Sequence, residues 1–146
     1  MKREKIYLST IATDAVRAAR EHGFGLEIAE YCTAWNMDEK FAPVDGLVKK
    51  KLEGICASLL HAPYYELFPC SIDKKARELA AYRYRQAIDI AKSYGSKKIV
   101  IHGGYNLLIR EEQLCPNATY TLKLMKDTPC VPWLKENELL SRTKTT

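Results

Sequence analysis

Along the first hundred residues, short runs of β-branched and apolar residues give way in turn to stretches with a helical apolar stripe. Lys5–Thr10 (KIYLST) is the first β-rich run. Asp14–His22 (DAVRAAREH) follows, with Ala15, Val16, Ala18 and Ala19 on a small apolar face, Asp14 at the N-cap position and Gly23 as the stop. Gly25–Cys32 (GLEIAEYC) predicts a second strand, and Val44–Leu52 a weaker helix ended by Gly54. Ile55–Ala62 (ICASLLHA) predicts a third strand, closed by Pro63. Ile72–Tyr94 carries the strongest periodicity. Ala76, Ala80, Ala87 and Ala91 lie on one face with Leu79, Tyr84, Ile88 and Tyr94 beside them, Asp73 opens the helix and Gly95 stops it. Lys97–His102 (KKIVIH) predicts a fourth strand that runs into Gly103 and Gly104.

Four strand–helix units with continuous apolar strands imply parallel pairing, because only strands buried on both faces lose the alternation of a half-exposed sheet. No G-x-G-x-x-G follows the first strand, which removes the dinucleotide-binding form of an open doubly wound sheet. Polar residues cluster instead just past the strand ends, at Glu30, His61 and His102, where a β/α barrel carries its chemistry. The expected fold class is therefore α/β: the N-terminal four β/α units of a TIM (β/α)8 barrel over residues 1–105, followed by an irregular tail over 106–146. The tail holds three prolines, and only Trp133–Leu140 reads as helical. A full barrel needs eight units and about 250 residues, so a chain of 146 residues reads as a barrel interrupted, by truncation or frame disruption, after its fourth strand. Ile99, Val100 and Ile101 would then meet water on one face unless the tail covers them, and the open edges of the first and fourth strands favour self-association.

Composition narrows the function classes. The formal charge of +5 is spread over helices and loops and forms no basic stripe, which argues against a nucleic-acid partner. Cys32, Cys56, Cys70, Cys115 and Cys130 form no C-x-x-C pair, and an odd number fits a reduced, cytoplasmic protein better than a disulfide scaffold. The N-terminus lacks the apolar segment of a signal peptide, and the apolar run around Ile55–Leu60 is too short to span a bilayer, so no membrane partner is expected.

His61 (LLHAPYY) and His102 (IVIHGGY) stand at equivalent ends of the third and fourth strands. Neighbouring strands lie about 5 Å apart, so the two imidazoles can share a metal ion or a substrate hydroxyl. Glu27 and Glu30, three residues apart, are expected on opposite faces of the second strand. Either can be read as an interior carboxylate with a chemical role or as the partner of a buried lysine. Tyr64, Tyr65, Glu66 and Phe68 form the loop after the third strand, where aromatic rings suit sugar faces or simply pack over the barrel mouth.

GLEIAEY, LHAPYYEL and IVIHGGY together resemble the xylose isomerase-like TIM barrel superfamily over residues 5–105. That group includes sugar phosphate isomerases and epimerases and the apurinic endonuclease family 2. The resemblance implies a divalent metal ion (Mn, Mg, Co or Zn), a sugar or sugar phosphate partner, and metal-assisted proton transfer beside a sugar carbonyl, with carboxylates as acid and base. In its endonuclease branch the histidines that His61 and His102 resemble are metal ligands; Glu27 and Glu30 are the candidate catalytic carboxylates, and Tyr64, Tyr65 and Gly103 the candidate substrate-binding residues. In the epimerase branch most metal ligands lie on later strands, beyond Tyr105, so this chain is expected to be an inactive isomerase/epimerase-like protein. The alternatives are a metal-dependent endonuclease of the apurinic type and a non-catalytic half-barrel that self-associates.

Overall fold

The computed structural model describes residues 6–69 and 71–102, and the backbone of Glu138–Arg142. Five strands form one all-parallel sheet in the order β1-β2-β3-β4-β5: β1 Tyr7–Ser9, β2 Gly25–Ile28, β3 Ser58–His61, β4 Lys98–His102 and β5 Glu138–Arg142. Between them run α1 Ala15–His22, a 3-10 turn at Glu30–Cys32, α2 Ala34–Met37, α3 Phe41–Leu52 and α4 Lys74–Ser93. A doubly wound sheet reverses its strand order at a switch point; this sheet advances without reversal, as a barrel does. No helix of the described residues is long and apolar enough to cross a membrane.

The register divides the strand residues between two faces. Leu26, Ile28, Leu60, Ile99 and Ile101 face the helices. Leu26 packs with Ala15 and Ala19 of α1, and the others with Ala80, Tyr84, Ala87, Ile88 and Ala91 of α4. The alternating positions occupy the opposite face, where Ser9, Glu27 and Leu59 lie abreast and His61 lies beside Val100. Near the N-terminal ends of the strands, the Tyr7 ring lies so close over Gly25 that a Cβ there would stand 2.5 Å from a ring carbon. The Lys98 Nζ is 5.7 Å from the centre of the same ring. Chemistry is thereby left to the other end of this face.

Helix ends follow the sequence with one exception. Asp73 accepts a 2.8 Å hydrogen bond from the Lys75 N–H, and Gly23 and Gly95 stop their helices at φ 69° and 68°. Asp14 occupies the cap position of α1 in the left-handed region, φ 61°, and makes no capping bond. Its carboxylate turns to the exposed Arg17 guanidinium at 3.3 Å instead.

Two further expectations are corrected. β2 ends at Ile28, not at residue 32, because the next amide leaves the ladder: the Ala29 N–H donates to Thr10 Oγ1 at 3.0 Å, and the chain tightens into the 3-10 turn. The end of the expected helix at Trp133–Leu140 is strand: Glu138–Arg142 pairs in parallel with all of β4, Lys98 to His102. Two leucines without a β-branched neighbour suit a helix, but an unpaired strand edge overrides so weak a preference. The fourth strand is therefore not an edge, and Ile99, Val100 and Ile101 are 0, 3 and 3% exposed. With burial worth about 1.5–3 kcal/mol for each such side chain, β4 belongs to the core. The rest of the tail expectation lies outside the described residues.

Candidate functional site

The site is assembled at the C-terminal ends of β2, β3 and β4. Glu27, one residue before the end of β2, and His61, the last residue of β3, share the non-helical face of the sheet. Their side chains meet there, with Glu27 Oε1 2.7 Å from His61 Nδ1. A carboxylate only accepts, so His61 donates from Nδ1 and its Nε2 carries a lone pair when the ring is neutral. That Nε2 lies 2.8 Å from the Nε2 of His102, the last residue of β4. His102 must then be the donor across this contact. The two rings are nearly parallel, with centroids 5.0 Å apart and planes at 17°. Glu27 and His61 are both 8% exposed. The sequence-based expectation of two histidines close enough to share an ion or a water is the geometry found.

Tyr64 closes one side of this pair. Its ring centroid is 4.6 Å from that of His102 and 5.3 Å from that of His61. Tyr65 stacks on Tyr64 at 4.5 Å and remains 60% exposed. Pro63, fully buried, ends β3 and turns the chain so that both tyrosines leave the strand direction. Gly103, the third expected substrate contact, lies outside the described residues.

Glu30 takes a different path from Glu27. It sits on the 3-10 turn, buried, where it accepts hydrogen bonds from Thr10 Oγ1 and from Lys51 Nζ, the latter at 2.7 Å. The same ammonium donates to the Thr10 carbonyl at 2.8 Å, and Asn36 Nδ2 donates to the Glu30 carbonyl at 2.6 Å. Glu30 thus ties β1, the turn after β2 and α3 together, and neither of its carboxylate oxygens turns to the histidines. Of the two glutamates, Glu27 reaches the pair and Glu30 holds a lysine. Cys32 shares the neighbourhood. Burial, with smaller contributions from the Glu27 and Glu30 carboxylates, pushes its thiol up to about 12, so it is a neutral thiol at physiological pH and no nucleophile for His61.

Two groups escaped sequence reasoning. Thr10 and Lys51 are 41 residues apart, and nothing in their local pattern marks them as partners. The Tyr31 hydroxyl donates to Tyr94, which donates to Asp45 at 2.7 Å. Burial raises Tyr31 and, more strongly, Tyr94 above the usual phenol range, and bonds from Lys49 and Tyr94 lower Asp45. This chain of bonds fastens the turn after β2 to α3 and the end of α4, beneath the site.

An open depression of about 800 Å3 lies elsewhere, beside the end of β1, lined by Thr10, Ile11, Arg17 and Lys51 among others. Its charged residues are exposed, apart from Lys51, which is committed to Glu30 and the Thr10 carbonyl, and the converging ring nitrogens of His61 and His102 make the stronger case for chemistry. The Nε2 atoms of His61 and His102 fit two ligands of one divalent ion once the proton between them is lost, with His61 oriented by the Glu27 carboxylate. No group of three or more His, Cys, Asp or Glu able to hold a metal occurs among the described residues.

Fold and site together define part of a parallel β/α barrel with a carboxylate–histidine–histidine chain at its strand ends. No family model matches the sequence, and no curated protein matches it. Among solved structures the chain is similar to the TTHB071 protein from Thermus thermophilus, in crystals soaked with ZnCl2, with a TM-score of 0.68 and 19% identity over 93% of this chain and 54% of that one. It is also similar to a D-tagatose 3-epimerase-like protein, with a TM-score of 0.63 and 19% identity over 93% of this chain and 51% of the other. The chain spans about half the length of each. These likenesses show the fold, a parallel β/α barrel over about half its length, as the four strand–helix units implied.

Proposed function

We propose that this chain supplies the first-half side of a sugar isomerase or epimerase site, in which His61 and His102 together bind a divalent metal or a substrate hydroxyl. The observation that carries this reading is the Glu27–His61–His102 chain, formed by three successive strand ends on one face of the sheet. Glu27 accepts the Nδ1 proton of His61 and so keeps the Nε2 lone pair aimed into the site. His102 presents the opposing nitrogen. Tyr64 excludes water from one side of the pair, and the exposed face of Tyr65 offers a surface for a sugar ring. A divalent metal, when bound, supplies Lewis-acid polarisation of a carbonyl next to the carbon that exchanges its proton. The partner class is a sugar or sugar phosphate.

A catalytic metal site generally uses three protein ligands and an open position, and among the described residues His61 and His102 provide two. The chain alone is therefore expected to bind the ion weakly and not to turn over a sugar. The test is proton exchange at the carbon beside the carbonyl of ketohexoses and their phosphates, followed by NMR in D2O with Mn2+, Co2+ or Zn2+ added. Metal binding that needs His61, without exchange, fits the proposal. Exchange at enzymatic rates, or metal binding indifferent to His61, overturns it. The same histidines resemble the metal ligands of the apurinic endonuclease branch, and metal-dependent nicking of an abasic duplex would favour that second reading.

A further inference from the structure

The two imidazoles are held by different means, and the loop after β3 provides the second. His61 has Glu27 at Nδ1. Tyr64 approaches both rings at once. The three centroid separations, 5.0 Å between the histidines and 4.6 and 5.3 Å to Tyr64, describe a nearly equilateral triangle and not a linear stack. A ring at the third corner prevents either imidazole from swinging toward it, which a neighbour on one outer face cannot do for both.

The backbone makes Tyr64 a fixed wall. Its N–H donates to the Cys32 carbonyl at 3.3 Å, and its own carbonyl accepts from the Leu67 N–H at 3.5 Å. Pro63 before it, and Leu67 and Pro69 after it, are buried, so the loop is anchored on both sides of the tyrosine. Tyr65 stacks on the Tyr64 ring with planes at 27°. The Tyr64 hydroxyl shares a hydrogen bond with the Tyr65 side chain.

We infer that Tyr64 is a positioning residue that holds His61 and His102 with their Nε2 atoms facing one another, and that it acts through its ring and not through its hydroxyl. The ring effect needs no metal. Its consequence for ion binding rests on the proposed metal reading.

The test compares Tyr64→Phe, which keeps the ring, with Tyr64→Leu, which fills similar space without it, in the full chain and with far-UV circular dichroism as the check on folding. Long-range 1H–15N NMR of the metal-free protein reads the tautomer of each histidine. Wild type and Tyr64→Phe should show His61 in one fixed Nδ1–H form, and Tyr64→Leu an averaged pattern for at least one of the two rings. Titration with Zn2+ alone should then give a dissociation constant within about twofold of wild type for Phe and about tenfold weaker or more for Leu, the scale seen when a ligand's orienting partner is removed. A fixed tautomer pattern in folded Tyr64→Leu overturns the inference, as does an averaged pattern in folded Tyr64→Phe. Should Leu fail to fold, Tyr64→Met replaces it with the same expectation. If wild type binds no Zn2+ yet the tautomer difference holds, the metal reading fails and the positioning role stands.

Discussion

Removing Lys51 should expose how firmly Glu30 is committed to structure. The Glu30 carboxylate keeps only 7% of its surface in water and depends on one ammonium and one hydroxyl. Lys51→Met preserves most of the volume of the side chain and leaves the carboxylate with Thr10 alone. Breaking a buried pair from one side costs about 3–5 kcal/mol, because the remaining charge is uncompensated. Lys51 is 23% exposed and water can reach the vacated position, which places the expected loss near the low end, about 3 kcal/mol. The loss also includes the bond from Nζ to the Thr10 carbonyl, worth about 1 kcal/mol. Urea denaturation followed by circular dichroism measures it, and the double variant Lys51→Met with Glu30→Gln isolates the pair. The double variant should be more stable than Lys51→Met alone, since it removes the orphaned charge. A Lys51→Met protein within about 0.5 kcal/mol of wild type, the range of an ordinary surface substitution, would refute the reasoning and return Glu30 to the candidate acid–base groups.

Gly25→Ala should cost about 1–3 kcal/mol by overpacking, since the new methyl would meet the Tyr7 ring at 2.5 Å and the Ala57 carbonyl at 3.0 Å; Gly25→Ala combined with Tyr7→Leu should recover much of this in the same denaturation assay. Peptide mapping after brief treatment with iodoacetamide near pH 8 should find the exposed Cys56 alkylated well before Cys32. The Cys32 thiol, pushed up to about 12, should gain reactivity only as the pH rises toward that value, and early labelling of Cys32 would contradict its burial between two carboxylates. The outer edge of β1 pairs with no described strand, so sedimentation velocity is expected to show self-association that rises with concentration; a monomer at all concentrations would remove the half-barrel association reading.

The elements most legible in the sequence were those with strong period and clear ends. The α4 stripe with Asp73 and Gly95, and the continuous apolar runs of β3 and β4, are found within a few residues of expectation. The histidine pair was legible for the same reason. Both residues close apolar strands, and parallel neighbours in register bring such ends together. What failed was governed by partners distant in sequence. β2 stops early because a threonine side chain from the end of β1 takes its next amide, and Asp14 leaves its cap for Arg17. Glu138–Arg142 is a strand because β4 offers an edge, a reason that no five-residue window contains. The division between Glu27 and Glu30 was half legible: the alternatives were visible, but only the fold shows which carboxylate meets a histidine and which meets Lys51.

Whether His61 and His102 act as one ligand pair decides the functional reading. Calorimetric titration of the purified chain with Zn2+ tests this directly, with His61→Ala, His102→Ala and Glu30→Gln in parallel. One ion per chain is expected in wild type, with binding abolished by either histidine substitution and kept close to wild type by Glu30→Gln. Zn2+ binding that survives loss of both histidines, or that disappears with Glu30, would contradict the ligand pair.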